Sequence, residues 1–296
     1  MKKIISYIQK IITKIFHIIN YQIKIINIKI LSHFGKKSGL GNNKKDKIIV
    51  SLTSIPSRFE KLYLCLETIM RQTIKPDKIV LYLGQNAKEI ELPKKLEKMK
   101  KRGLTIKYVE DKNLKPHTKY FYAMQEYPDA IIITFDDDIL YDKNIIKILY
   151  NSYLKYPNAI SCMRAHKITF GKDNMISQYN NWEYEYNDKD ALIPNNFLLA
   201  TGVGGVLYPS HCMPQETFNI KNINKFSLNA DDLWLKVMQL NGKIKVVKAT
   251  KKNYYLYIIK DTQNIALCKS NVEQCENDVC MNKLIEYYNI KKEDFE

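Results

Sequence analysis

The chain has 296 residues and a mass of 34.8 kDa, with 45% hydrophobic and 26% charged residues. That length and balance exclude a disordered or collagen-like chain and leave room to bury a sizeable core. Net charge is +16, but residues 1–47 hold eleven lysines and one aspartate, so +10 of it sits on an N-terminal arm and +6 on the body. A nucleic-acid-binding domain carries its basic surface on the folded body, so no nucleic-acid partner is expected. Six cysteines are present, at 65, 162, 212, 268, 275 and 280. With no CxxC pair and no zinc-type Cys/His spacing, they read as reduced thiols in a cytosolic protein.

Residues 1–34 place apolar side chains at Ile4, Ile5, Ile8, Ile11, Ile12, Ile15, Phe16 and Ile19. That spacing predicts an amphipathic helix with Lys10 and Lys14 beside its apolar stripe. Lysines interrupt it too often for a membrane span, and it lacks the apolar run and cleavage site of a signal peptide. Two readings follow. The helix lies in the interface of an anionic membrane, on the cytoplasmic face, or it packs on the domain or a second subunit. The first is favoured. Residues 35–47 (GKKSGLGNNKKDK) read as a flexible linker.

From Ile48 short apolar runs alternate with helical stretches. Strands are predicted at 48–53, 78–84, 104–110, 130–135 and 158–163, and helices at 58–72, 88–102, 118–126 and 142–155. Strands separated by helices imply βαβ units and a mostly parallel sheet, with ligands bound beyond the carboxyl ends of the strands. The first strand ends in Thr53-Ser54-Ile55-Pro56, and neither GxxxxGK[ST] nor GxGxxG follows it. A dinucleotide enzyme or P-loop NTPase is therefore not expected.

The most apolar strand, AIIITF, runs into Asp136-Asp137-Asp138. Three adjacent carboxylates repel one another unless a cation sits among them. In extended chain Asp136 and Asp138 would share a face, about 6.6 Å apart at Cα, with Asp137 on the other. Oxygen-only ligation suits Mg²⁺ or Mn²⁺; the competing reading is a solvated turn. Further on, TGVGGVLYP (201–209) carries Gly202, Gly204 and Gly205, which read as a ligand-facing wall or as a tight turn. Asp231-Asp232 open an amphipathic stretch ended by Asn241-Gly242, either as helix-start acids or as reactive carboxylates. The aromatic run 179–186 (YNNWEYEY) could face a sugar or pack as a loop. The five histidines show no pairing and read as structural.

Taken together, VSLTSIPSRF, FDDDI, TGVGGVLYP and ADDLWL in that order resemble the GT-A-fold, nucleotide-sugar-dependent glycosyltransferases, close to the large bacterial inverting family of surface polysaccharide synthesis. The resemblance covers about residues 47–248. It departs in one place, with Asp-Asp where the family usually has Glu-Asp. It implies an α/β single domain of GT-A type over 48–250, its mostly parallel (mixed) central sheet flanked by helices, with the N-terminal helix before it and a C-terminal extension at 251–296. It implies that Asp138, with Asp136, coordinates the Mn²⁺ or Mg²⁺ on the donor diphosphate. Thr53, Ser54, Arg58, Lys119, Asp136 and Asp137 are then nucleotide contacts, and Gly204 and Gly205 wall the sugar pocket. Asp232 is the general base, with Asp231 its partner or an acceptor ligand.

The expected activity is metal-dependent, inverting transfer of a sugar from a nucleoside-diphosphate sugar, a UDP-sugar foremost, to a saccharide or lipid-linked acceptor hydroxyl at the inner face of the cell membrane. The competing expectations are a metal-dependent nucleotidyltransferase or nuclease, and a non-enzymatic membrane-associated scaffold.

Overall fold

The computed structural model describes residues 2–43, 45–110, 112, 114–262 and 276–296, with side chains from Tyr7 onward. A long helix, α1 (Lys2–Phe34), precedes an alternating body. The body begins β1 (Ile48–Thr53), α2 (Phe59–Met70), β2 (Lys78–Gly84), α3 (Lys94–Lys100), β3 (Leu104–Val109), α4 (Thr118–Glu126) and β4 (Ile131–Thr134). It continues through β5 (Ile139–Leu140), α5 (Ile145–Lys155), β6 (Ala159–Cys162), β7 (Ala165–Lys167), β8 (Leu198–Ala200) and β9 (Val206–Tyr208). Then follow α6 (Ile220–Phe226), α7 (Asp231–Asn241), β10 (Lys245–Lys248), β11 (Tyr257–Ile258) and α8 (Glu276–Tyr288). The helix expected over 88–102 is shorter, because Pro93 can only precede a helix and residues 85–89 form a separate 3₁₀ turn.

Seven strands form the central sheet in the order β10-β6-β9-β4-β1-β2-β3. Every neighbouring pair is parallel except those made by β9, which runs antiparallel to both β4 and β6. The fold is thus α/β, with a mostly parallel mixed sheet flanked by helices. Side-chain alternation along β4 explains its uniform apolarity. Ile131 and Ile133 pack with α2 and α5 on one face, and Ile132 packs with α4 and α7 on the other. Trp234 lies wholly inside this second layer, its indole N–H bonded to the Thr217 carbonyl at 3.0 Å.

Helix α1 carries two stripes. Ile25 and Ile28 are buried in the α2 layer, and the Tyr21 hydroxyl accepts from the Lys260 N–H at 3.1 Å. Ile8, Ile12, Ile15, Ile19, Ile23, Ile26 and Ile30 recur every three or four residues on the other side and are exposed. Docking on the domain is therefore real, and it uses one stripe while leaving a second bare. No described helix is long and apolar enough to cross a membrane. Segment 35–47, expected to be flexible, is tied down where it is described. Gly39 and Gly41 donate to the carbonyls of Arg102 and Pro76 at 2.8 and 2.9 Å, and Asp77 accepts from the Asn43 N–H at 2.8 Å.

Of the residues beyond 250, β11 and α8 likewise pack on the body. β11 pairs with β5, and Cys280, Met281 and Leu284 of α8 join the core beside α7. Among the described cysteines, Cys65, Cys162 and Cys280 are buried thiols and Cys212 is half-buried; Cys268 and Cys275 lie outside the described residues.

The antiparallel sense of β9 brings its leading turn to the carboxyl end of β4, with Val206 opposite Thr134. Gly205 there has φ +106°, and a Cβ would sit 2.6 Å from Phe135 Cε1. Both the backbone and the ring exclude a side chain. Gly205→Ala is expected to cost about 2–4 kcal/mol in equilibrium denaturation, from a left-handed L-residue and an overpacked core.

Candidate functional site

Three elements converge where β4 ends. The acidic triplet does not continue the strand; β4 stops at Thr134 and Asp137-Asp138 form a turn into β5. The expected sharing of one face by Asp136 and Asp138 is therefore corrected. The turn sends Asp136 to Lys119, while Asp137 and Asp138 share Arg58.

Asp137, expected to contact nucleotide, instead braces the turn. Its buried carboxylate takes the Ser54 hydroxyl and the Arg58 Nη1–H. Burial outweighs both partners and raises its pKa. Asp138 lies 3.3 Å from Arg58 Nη2, which also donates to the Thr262 carbonyl at 2.9 Å. The Arg58 Nε–H is buried with no hydrogen-bond partner among the described residues. Thr53, also expected at the nucleotide, donates its hydroxyl to the Tyr82 carbonyl at 2.9 Å. It joins β1 to β2 and is committed there.

Asp136 points the other way, to Lys119 on α4. Lys119 is 6% exposed and donates to Asp136 Oδ1 at 2.9 Å. The same ammonium lies 2.9 Å from Asp231 Oδ2 in the first turn of α7, a charge contact without hydrogen-bond alignment. Burial works against the lysine's charge, but Asp136, then Asp231 and Asp232, outweigh it and hold its pKa above the ordinary lysine range. Asp231 and Asp232 follow an Ala230 N-cap, so neither caps its own helix. Asp232 Oδ1 instead accepts the Gly202 N–H at 2.9 Å.

Gly202 is the meeting point. A Cβ on it would lie 2.7 Å from Lys119 Nζ, 3.2 Å from Asp232 Oδ1 and 3.6 Å from Asp136 Oδ1. Only a glycine lets the backbone approach this closely to a cation and two carboxylates from three different elements. Gly204 and Gly205, at φ +101° and +106°, carry the turn onward beneath Met163, whose N–H bonds to the Gly205 carbonyl at 3.1 Å.

The two acids of α7 diverge electrostatically. Burial opposes the charge of Asp231, but Lys119 and His117 hold its pKa low. Burial and then the like charge of Asp231 raise the pKa of Asp232. One carboxylate is thus fixed as a charge, while its neighbour can exchange a proton near neutrality. His117 itself is buried between the Tyr120 hydroxyl and the Ser227 carbonyl, both at 2.8 Å, and burial lowers its pKa to about 4, a structural histidine.

Asp136 and Asp138 have side chains 28% and 13% exposed. The Asp138 carboxylate offers the oxygen ligation that suits Mg²⁺ or Mn²⁺, whereas Asp136 is turned to Lys119. Among the described residues no group of three His, Cys, Asp or Glu assembles. The remaining coordination would come from phosphate oxygens and water. The loop 179–186 is not a flat sugar platform: Trp182 is buried and bonded to the Ser177 carbonyl at 2.8 Å.

Two contributors carried no signal in the chain. Tyr141 bonds its hydroxyl to the Asp136 N–H at 2.8 Å and so fixes the turn. The Thr262 carbonyl anchors Arg58 from 204 residues away. Neither is distinguishable from an ordinary tyrosine or loop residue before folding.

No protein-family model matches the chain, and no curated protein matches it. Among solved structures it is similar to CMP:2-keto-3-deoxy-manno-octonic acid synthetase complexed with CTP. That likeness has 8% identity and a TM-score of 0.40, and covers 69% of this chain and 89% of the other.

The raised pKa of Asp232 has a stability consequence. The native state binds that proton more tightly than the unfolded chain. Native stability therefore falls as pH rises from the unfolded carboxylate's pKa of about 3.9 through the raised native value, and levels off above it. Asp232→Asn, which can still accept the Gly202 N–H, is expected to unfold at a higher temperature than wild type at neutral pH. That gap should close in thermal melts run towards pH 4.

Proposed function

We propose that the chain is a glycosyltransferase that moves a sugar from a nucleoside-diphosphate sugar, a UDP-sugar foremost, to an acceptor hydroxyl. The observation that carries this reading is the convergence of Lys119, Asp136 and Asp232 on the Gly202 backbone, beyond the carboxyl end of β4. A transferred sugar needs a carboxylate at the acceptor hydroxyl and a separate, cation-bearing station for the leaving diphosphate. Asp232 suits the first role. Its raised pKa matches a group that removes a proton near neutral pH. Asp231, held ionised by Lys119, keeps that pKa up and fixes the lysine in place.

Arg58 suits the second role. Its Nε–H lacks a partner, and its planar guanidinium already lies against two carboxylates, so it has a donor to turn to a phosphate oxygen. Asp138 would hold the divalent ion together with phosphate oxygens and water, and the ion's chemistry is to neutralise charge growing on the departing diphosphate. With the base opposite the leaving group, attack inverts the anomeric centre.

The second stripe of α1 suits a membrane surface. Seven exposed isoleucines and a net +10 over residues 1–47 match a helix lying in an anionic interface, where each basic residue adds roughly 1 kcal/mol. A cytoplasmic-face, lipid-linked acceptor follows from that placement.

The test is incubation with Mn²⁺ and a panel of sugar nucleotides, following free nucleotide. Wild type should release nucleoside diphosphate. Asp138→Asn should abolish that release. Asp232→Asn should lower transfer by about 10²–10⁴-fold while leaving donor binding intact. Pyrophosphate release from CTP or UTP with a sugar substrate would instead identify a nucleotidyltransferase. For the helix, Ile12→Glu with Ile19→Glu, both in the exposed stripe, should abolish flotation with phosphatidylglycerol vesicles and leave the melting temperature unchanged. Full flotation would refute the membrane placement.

A further inference from the structure

Behind the reactive turn lies a cavity of about 430 Å³ that none of the roles above uses. Its outer wall is α1 and residues 252–257; its inner wall is the turn itself, through Tyr141 and Gly204. Its volume is in the range of small-ligand sites. The inner wall ties it to the chemistry. Tyr141 bonds to the Asp136 backbone. Gly204 is two residues, at most about 7 Å of chain, from the Gly202 N–H that holds Asp232.

The outer wall is aromatic and basic. His17 and Tyr255 stack with ring centres 3.7 Å apart and planes within 9°, and Tyr255 is 56% exposed. Lys24 Nζ lies 5.3 Å from the centre of the Tyr257 ring, and Lys252 Nζ 4.7 Å from that of Tyr254. Among the described residues neither lysine has a carboxylate partner, whereas Arg164, also on the wall, is neutralised by Glu185 at 3.1 Å. Flat rings with polar edges receive the C–H face of a sugar ring and bond its hydroxyls. Two uncompensated ammonium groups call for an anion beside that ring.

We propose that this cavity is the acceptor subsite, and that it takes a saccharide ring bearing an acidic substituent, carboxylate or phosphate. This rests on the glycosyltransferase reading, since only then is a second sugar required next to Asp232. The ring lies against the His17–Tyr255 stack, its acidic group meets Lys24 and Lys252, and its free hydroxyl reaches over the Gly202–Gly204 turn. Helix α1 then has two jobs on opposite sides: its bare isoleucine stripe faces lipid, and its His17–Lys24 side holds the acceptor about one helix diameter, 10–12 Å, above that surface.

The test is saturation-transfer NMR on the full-length chain without donor or metal, with methyl β-D-glucuronoside, glucose 6-phosphate and methyl β-D-glucoside as probes. Both acidic sugars should receive saturation at their ring protons, and the neutral glucoside much less. Tyr255→Ala should weaken binding of the acidic sugars roughly three- to tenfold, the scale of one lost ring contact. Lys252→Glu, an exposed position, should weaken the acidic sugars and leave the neutral one unchanged, with thermal melts confirming the fold of both variants. Binding of the glucuronoside alone or of the phosphate alone would support the proposal and identify the acidic group. No binding by any probe, equal binding of the neutral sugar, or binding untouched by both substitutions would overturn it. Because no nucleotide is present, these outcomes are independent of nucleotide release, whose absence would instead sink the catalytic reading.

Discussion

The site depends on one buried ammonium. Lys119 enters the interior on α4 and meets Asp136 from the end of β4 and Asp231 from the start of α7. Burying a lone charge costs several kcal/mol, and so does crowding carboxylates together. Each cost is offset only by the other. The lysine therefore fixes the distance between two segments nearly one hundred residues apart in the chain. It also sets the division between a permanently ionised Asp231 and a proton-exchanging Asp232.

Around that cation the topology does the remaining work. A single antiparallel strand, β9, in an otherwise parallel sheet delivers its leading glycine turn to the carboxyl ends of β4 and β6, where a parallel sheet opens its crevice. A parallel β9 would have put its glycines at the opposite edge. Arg58 performs the matching task on the other side, bracing Asp137 and Asp138 and tethering the chain at Thr262. Three consecutive aspartates thus occupy three environments: Asp136 at the lysine, Asp137 inside the brace, Asp138 at the rim.

The N-terminal helix carries two apolar stripes, and the body covers one of them. Docking through Tyr21, Ile25 and Ile28 leaves a stripe of seven isoleucines exposed. The same docking closes a cavity against residues 252–257. At Asp232, burial and the neighbouring charge of Asp231 raise the energy of the ionised form, a cost to native stability at neutral pH.

The alternation of apolar strands and amphipathic helices is written locally, so β1, β2, β3, β4 and β6 and helices α2, α4 and α5 could be read from periods of two and 3.6 residues. The reactive residue types were legible too: DDD after AIIITF, the glycine cluster, and Asp231-Asp232 before LWL. What those residues touch was not. A strand-like reading of 136–138 paired Asp136 with Asp138, whereas the turn at 137–138 sends Asp137 to Arg58. Nor did the sequence show that the Thr53 hydroxyl ties β1 to β2 through the Tyr82 carbonyl. The packing of 35–43 and of β11 was also invisible, because short polar segments show no periodicity whether or not the body captures them. Sequence by itself determined the elements, because burial patterns follow from neighbours three or four residues apart. Only the tertiary structure decided which charge faces which, because Lys119, Asp136, Asp231 and Gly202 meet through strand order and helix placement, which no local pattern encodes.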